Sequence, residues 1–285
     1  MNYCFFVADL HGSESRYKSL FNEIEKKMPD CVMIGGDLFP HGYDLKGSGK
    51  GDFLDDFLIP ETEKLKNALG EKYPRILIIL GNDDARLQEN RMIEAEKQKH
   101  LWKYIHNKKL SLGGINVYGY SFIPPTPFAL KDWEKYDVSR FVDPGCIPPT
   151  EGFRTVKPDY DLEYSTIKKD LEALTRGSDL SRSIFLFHSP PYNTPLDRAA
   201  LDGKMIDHVP LDVHVGSIAI QRFIEERQPM LTLHGHVHES SKLTGKWKTT
   251  IGNTHALSAA WNQKELALVE MDLNHPEEAL RRLIK

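Results

Sequence analysis

The chain has 285 residues, 40% hydrophobic and 27% charged, with a formal net charge of −4 at pH 7. Those proportions describe an ordinary globular chain, and the slight acidity excludes the basic footprint of a general nucleic-acid binder. No stretch approaches the ~20 apolar residues of a membrane span. The opening "MNYCFFVADL" has no basic start and soon meets Asp9, so it is no secretory signal and a cytoplasmic protein is expected. The cysteines, Cys4, Cys31 and Cys146, are odd in number and form no CxxC, which argues against a disulfide framework or a cysteine zinc site.

In chain order, "YCFFVA" (3–8) is a short apolar run, and 13–28 sets Tyr17, Leu20, Phe21 and Ile24 at helical spacing. "DCVMIGG" (30–36) is apolar again, 63–69 is helix-like with Pro60 at or before its start, and "RILIIL" (75–80) is a third run. Residues 84–106 are mostly helical in composition, and the Lys-rich 94–109 reads as a solvated helix face. This alternation argues for βαβ units and a parallel sheet. Residues 113–122 read as strand; 123–160 is a Pro/Gly-rich excursion, its stretch 141–160 being either a lid or a surface loop. Helical spacing returns at 162–176, "SIFLF" (183–187) is a buried strand, and 216–227 is a short helix. The segments 229–233, 241–253 and 265–273 read as strands, the last pairs antiparallel. A single domain over 1–285 is expected.

The apolar runs end in residues of one chemical kind. They give way in turn to Asp9-Leu10-His11, Gly35-Gly36-Asp37, Gly81-Asn82-Asp83-Asp84, His188, and His234-Gly235-His236-Val237-His238. In a parallel sheet such ends share one edge, where ligand sites form. Carboxylates, imidazoles and an amide, with no thiolate, suit Mn, Fe or Zn. So many groups exceed one tetrahedral zinc but suit two divalent ions ~3.5–4 Å apart, sharing a carboxylate and clamping a phosphoryl group.

The ordered set "DLH", "GGD", "GND", "FH" and "GHVH" resembles the signature of the calcineurin-like metallophosphoesterase superfamily, and "FHSPPYNTPLD" and "TTIGNTHA" resemble its small prokaryotic branch. The resemblance implies a four-layer α-β-β-α sandwich of two mixed sheets. It implies one metal on Asp9, His11 and His238, a second on Asn82, His188 and His236, and Asp37 bridging both. It further implies phosphoester hydrolysis by a metal-bridging hydroxide, on a small substrate that includes nucleotides among its possibilities, with manganese the first metal to try.

The pattern departs at one position. Many relatives place histidine after Gly-Asn as the proton donor to the leaving oxygen; this chain has Asp83. A carboxylate of ordinary pKa near 4 is ionised at pH 7 and, beside two dications, stays so. Asp83, His41 and His255 are the candidates for leaving-group or substrate contacts, unless the substrate needs no donor, as diesters with acidic leaving groups do not. His234 fits a buried supporting role, and Asp84 fits either a helix cap or support for a ligand. Trp102, Trp133, Trp247 and Trp261 read as core or loop anchors. Two alternatives stay open: a nucleotide phosphodiesterase or pyrophosphatase of narrow specificity, and a metal-binding scaffold without catalysis.

Overall fold

A computed structural model of the protein describes residues 2–40 and 52–285. Its first half contains β1 (Tyr3–Val7), α1 (Glu14–Lys27), β2 (Cys31–Gly35), α2 (Ile59–Leu69), β3 (Arg75–Ile79), α3 (Leu87–Lys99), β4 (Lys103–Tyr104), β5 (Lys108–Leu112) and β6 (Ile115–Tyr120). The second half adds α4 (Ile167–Leu174), β7 (Ser183–Phe187), a small hairpin of β8 (Met205–Ile206) and β9 (Val209–Pro210), and α5 (Ile218–Arg227). Beyond these lie β10 (Leu231–His234), α6 (Ser240–Thr244), β11 (Lys248–Ile251), β12 (Thr254–Ser258), β13 (Leu266–Asp272) and β14 (His275–Ile284).

Two large sheets result, with strand orders β14-β13-β1-β2-β3-β4 and β11-β12-β10-β7-β6-β5. In the first, β1 to β4 run parallel while β13 and β14 are antiparallel additions. In the second, β6, β7, β10 and β12 run parallel, with β5 and β11 antiparallel at the two edges. Both sheets are therefore mixed, as the resemblance implies.

Side-chain alternation along β1 explains the layering. Phe6 points between the sheets, where it joins Met33, Leu77, Ile184, Leu186 and Leu233. Phe5 and Val7 point outward and pack with Val32, Ile34 and the Tyr17, Leu20, Phe21 and Ile24 stripe of α1. On the opposite side Phe185 meets Phe223 of α5, ring centroids 4.9 Å apart. A strand buried on both faces shows no polar alternation, which is why these strands read as unbroken apolar runs. Helix α1 starts at Ser13, whose side chain accepts from Arg16 N, and stops at Met28 in the left-handed region.

Several expectations need correction. The helical reading of 84–106 ends at Lys99, and the reading of 94–109 as a helix face misses β5, whose exposed Lys108 and Lys109 lie on a sheet edge. Lysine blunts an edge strand against foreign pairing, so the charge run belongs to an edge. Of the expected strand 241–253 only β11 is strand; its start is α6, which Gly245 closes at φ 70. Strands β12 and β14 lie outside the expected elements, and β14 exposes Glu277, Glu278 and Leu280.

The excursion 123–160 builds turns and isolated bridges, but it is anchored. Trp133 is fully buried, and Lys131 pairs with Glu134 at 2.5 Å, both out of solvent. Asp137 accepts from Ser217 Oγ and Ile218 N, 2.6 Å each, and so holds the start of α5. The Trp133 ring lies 4.9 Å from the buried His106 ring, whose Nδ1 accepts from Ser121 N at 3.0 Å. Burial, with Arg86 and Lys135 nearby, pushes His106 well below the usual imidazole value. Its neutral form contributes stability that is full above pH ~6.5 and is lost as pH falls below that value, because only the unfolded chain then takes the proton. Between pH 7 and pH 5 the wild-type urea midpoint is expected to fall further than that of His106→Gln; parallel losses would show that His106 is not held neutral.

Candidate metal centre

The loops leaving β1 and β2 are zipped together by their backbones. Asp9 N donates to Gly36 O at 3.0 Å, and His11 N donates to Asp37 O at 2.8 Å. The second sheet joins them: Gly235 N donates to His188 O, and His236 N donates to Asp9 Oδ1, 2.9 Å each. Four side-chain-bearing residues in these turns adopt left-handed backbone: Asp9 (φ 57), His11 (φ 47), Asp37 (φ 53) and His236 (φ 71). Each such conformation costs on the order of 1–3 kcal/mol, and such strain clusters at functional sites. Gly36, at φ 95, is different: a Cβ there would lie 2.7 Å from His188 Nδ1, so both the angle and the space require glycine.

The side chains meet acceptor to acceptor. His188 Nδ1 donates to Gly35 O at 2.8 Å, which leaves the lone pair of the neutral ring on Nε2. That nitrogen faces Asn82 Oδ1 at 2.9 Å and Asp37 Oδ2 at 3.3 Å. Asn82 is oriented because its Nδ2 donates to Asp83 Oδ1 at 2.9 Å. His188 Nε2, Asn82 Oδ1 and Asp37 Oδ2 converge on one point that favours positive charge, either a proton on Nε2 or a metal ion in its place. A second group adjoins it: Asp9, His11, Asp37 and His238 bring ligand atoms within 4.8 Å of one another. In it His11 Nε2 is 3.0 Å from His238 Nε2 and 3.8 Å from Asp37 Oδ2. Asp9 Oδ2 is buried with no hydrogen-bond partner.

Charge tells the same story. Asp9 and Asp37 are each 1% exposed, and among the described residues only histidines lie within ion-pair distance of them. Burial opposes ionisation of Asp37, yet His188 and His11 hold it below the ordinary carboxylate range. Burial likewise opposes a proton on His188, but Asp37 and Asp9 push the ring up to about 10. Desolvation of the half-buried His236 ring, with His188 beside it, pushes it down to about 3. Two buried negative charges thus demand compensating positive charge. The donor set of carboxylates, imidazoles and one amide fits divalent ions.

The model of the calcineurin-like phosphoesterase family matches residues 4–240. The chain belongs to that family. Solved structures with the same fold include protein TT1561 of Thermus thermophilus (15% identity, 100% of this chain and 99% of that one, TM-score 0.59). Another is a dimetal phosphatase from Danio rerio (11% identity, 100% and 99%, TM-score 0.50). No curated protein sequence matches the chain.

The calcineurin-like fold thus brings Asp9, His11, Asp37, Asn82, His188 and His238 into two adjoining groups, with the His236 ring 5.2 Å from that of His188. Asp83 lies at the rim: its N donates to Asp37 Oδ1 at 2.9 Å and its Oδ2 is 3.8 Å from His11 Nδ1. Asp84 caps no helix. Fully buried, it accepts from Leu38 N, Phe39 N and Gly81 N, 2.9 Å each, bracing the turn that carries Asp37. Burial and the Asp37 charge push it up to about 7. His234 is fully buried and bridges Ser189 O (2.9 Å) and Thr232 Oγ1 (2.8 Å), a supporting position.

His255 is not brought to the cluster. It pairs with Leu231, at the start of β10, whereas His236 and His238 come after the end of that strand. A strand advances ~3.3 Å per residue, so His255 sits at the wrong edge of the sheet. His41 lies outside the described residues. Two features escape the sequence reading. Arg16 of α1 donates from NH1 to Asp9 O at 2.6 Å and from NH2 to Gln263 O, tying the 261–264 loop to the site. That loop leaves β12 at the metal-centre edge, since Ser258 pairs with His234. Recognising "HALSAA" as an apolar run would have pointed to the Trp-Asn-Gln-Lys just after it.

A Cβ on Gly81 would lie 2.6 Å from both Asp37 N and His188 Cε1. Gly81→Ala is therefore expected to displace both groups and weaken divalent-metal binding by at least ~10-fold. Titration calorimetry checks this; unchanged affinity would show that the cradle tolerates a methyl group.

Proposed function

We propose that this chain hydrolyses phosphodiesters, or other small phosphoesters with good leaving groups, using two divalent ions of which manganese suits the donor set. One ion would be held by Asp9, His11 and His238, the other by Asn82, His188 and His236, with Asp37 shared. The observation that carries the reading is Asp37 Oδ2, which faces His188 Nε2 at 3.3 Å and His11 Nε2 at 3.8 Å, so one carboxylate oxygen serves both groups. When bound, such a pair of ions neutralises phosphoryl charge and acidifies a water near neutral pH.

The protein's own contribution is orientation. The Gly35 carbonyl fixes the His188 tautomer, Asp83 turns the Asn82 oxygen inward, and the Asp83 N–H holds the other oxygen of Asp37. Groups that fix metal ligands in this way are worth roughly 10–100-fold in affinity or activity. Asp83 is thus a positioning residue for the ligands. The place where many relatives carry a histidine donor is filled by a carboxylate already engaged with Asn82. With no imidazole at that motif position, general-acid assistance of ~10²–10⁴-fold from it is forgone, which favours leaving groups that depart readily as anions.

The test uses bis-p-nitrophenyl phosphate and a series of aryl phosphates. Chelation is expected to abolish turnover and Mn²⁺ to restore it, with rates falling steeply as the leaving group becomes more basic. Alkyl monoesters should be the poorest substrates. A flat dependence would show that another group donates the proton, and two bound metals without turnover would favour a scaffold.

A further inference from the structure

A cavity of about 630 Å³ opens directly beside His11 and His238. Its walls come from the first turn of α1 and from the 261–264 loop. The space far exceeds what a phosphoryl group needs and lies in the range of small-molecule sites. We propose that this cavity is a nucleoside subsite: Trp261 stacks a nucleobase while the attached phosphoryl group reaches the metal centre. The proposal rests on the phosphoesterase reading above and names the substrate class for it.

Three observations carry it. The first is that Trp261 is a prepared platform. Its Nε1 donates to Glu265 Oε2 at 3.3 Å, and the Arg281 guanidinium lies over the ring, 5.4 Å from its centroid. An indole held on one edge and one face loses little freedom when a second ring stacks on it. Next, the platform's loop is tethered to the candidate metal centre. Arg16 spans from Asp9 O to Gln263 O, so the loop that presents Trp261 is tied to the backbone of a metal-facing residue. A ligand bound at both ends needs that constancy.

The third observation is the chemistry of the lining. Asn262 and Gln263 supply exposed amides, each with donors and an acceptor able to pair with a base edge. Lys264 adds a cation, and no carboxylate occurs among the described residues that line the cavity. That composition suits an anionic, heteroaromatic ester. A lipid tail would need apolar walls, and here only Leu10 and Trp261 provide them. A hexose, with hydroxyls to donate, would be better served by carboxylates than by amides and a lysine.

Equilibrium binding to the Mn²⁺-loaded protein tests this with thiophosphate probes, whose sulfur slows turnover: adenosine 5′-thiophosphate, glucose 6-thiophosphate and inorganic thiophosphate. The adenosine ester is expected to bind at least about tenfold tighter than inorganic thiophosphate, the gain from base stacking. Trp261→Phe should keep most of that gap and Trp261→Ala should erase it, with metal content and inorganic thiophosphate binding unchanged. Asn262→Ala/Gln263→Ala, altering only exposed side chains, should narrow the gap with the ring intact. Equal binding of the adenosine and inorganic probes by the wild type would overturn the proposal. So would an equal gain for the glucose ester, or a gap that survives Trp261→Ala. Turnover of bis-p-nitrophenyl phosphate, measured separately, shows whether the phosphoesterase reading itself stands.

Discussion

Two buried carboxylates govern this molecule. Asp9 and Asp37 are each 1% exposed, and the side chains turned toward them are imidazoles. Isolated buried charge is among the most expensive things a protein can hold, and here it is held by the backbone donors Asp83 N and His236 N and by imidazoles whose nitrogens take up either a proton or a metal ion. The left-handed turns at Asp9, His11, Asp37 and His236 arise from the same demand, since they bend the strand exits until their ligand atoms converge. The sandwich supplies the rigidity. Strands buried on both faces give a scaffold stiff enough to keep four strained residues in place.

The supporting residues divide the work. Asp84 braces the turn that carries Asp37, Gly35 O fixes the tautomer of His188, and Asp83 fixes the amide of Asn82. A site built this way resists single changes in geometry but depends on each support. Arg16 extends the logic outward, joining the backbone at Asp9 to the 261–264 loop. The loop that walls the cavity is therefore tied to the backbone of Asp9.

The candidate metal ligands are legible because a strand buried on both faces ends sharply at a polar residue. The ordered pattern from Asp9 to His238 then names the family. The remainder lacks a sequence signal. Strand β5 is hidden by the lysines of an edge, and β14 by the solvent on its outer face. The excursion 123–160 shows a loop composition, yet a buried Lys131–Glu134 pair and a buried Trp133 tie it down, and partners so distant in kind cannot be inferred from proline and glycine content. From sequence Asp83 is one candidate for leaving-group or substrate contact, and its hydrogen bonds to Asn82 and Asp37 support the positioning role proposed above. His255 reads as available until the register of β12 against β10 is known.

The central claim is that Asp37 serves two metals at once, whereas His238 serves one. Manganese titration of the chelator-treated protein tests it most directly. The account predicts two equivalents bound by the wild type, one by His238→Ala, and by Asp37→Ala none with an affinity within ~10²-fold of the wild type. A full-affinity site remaining in Asp37→Ala, or the same loss in both variants, would contradict it.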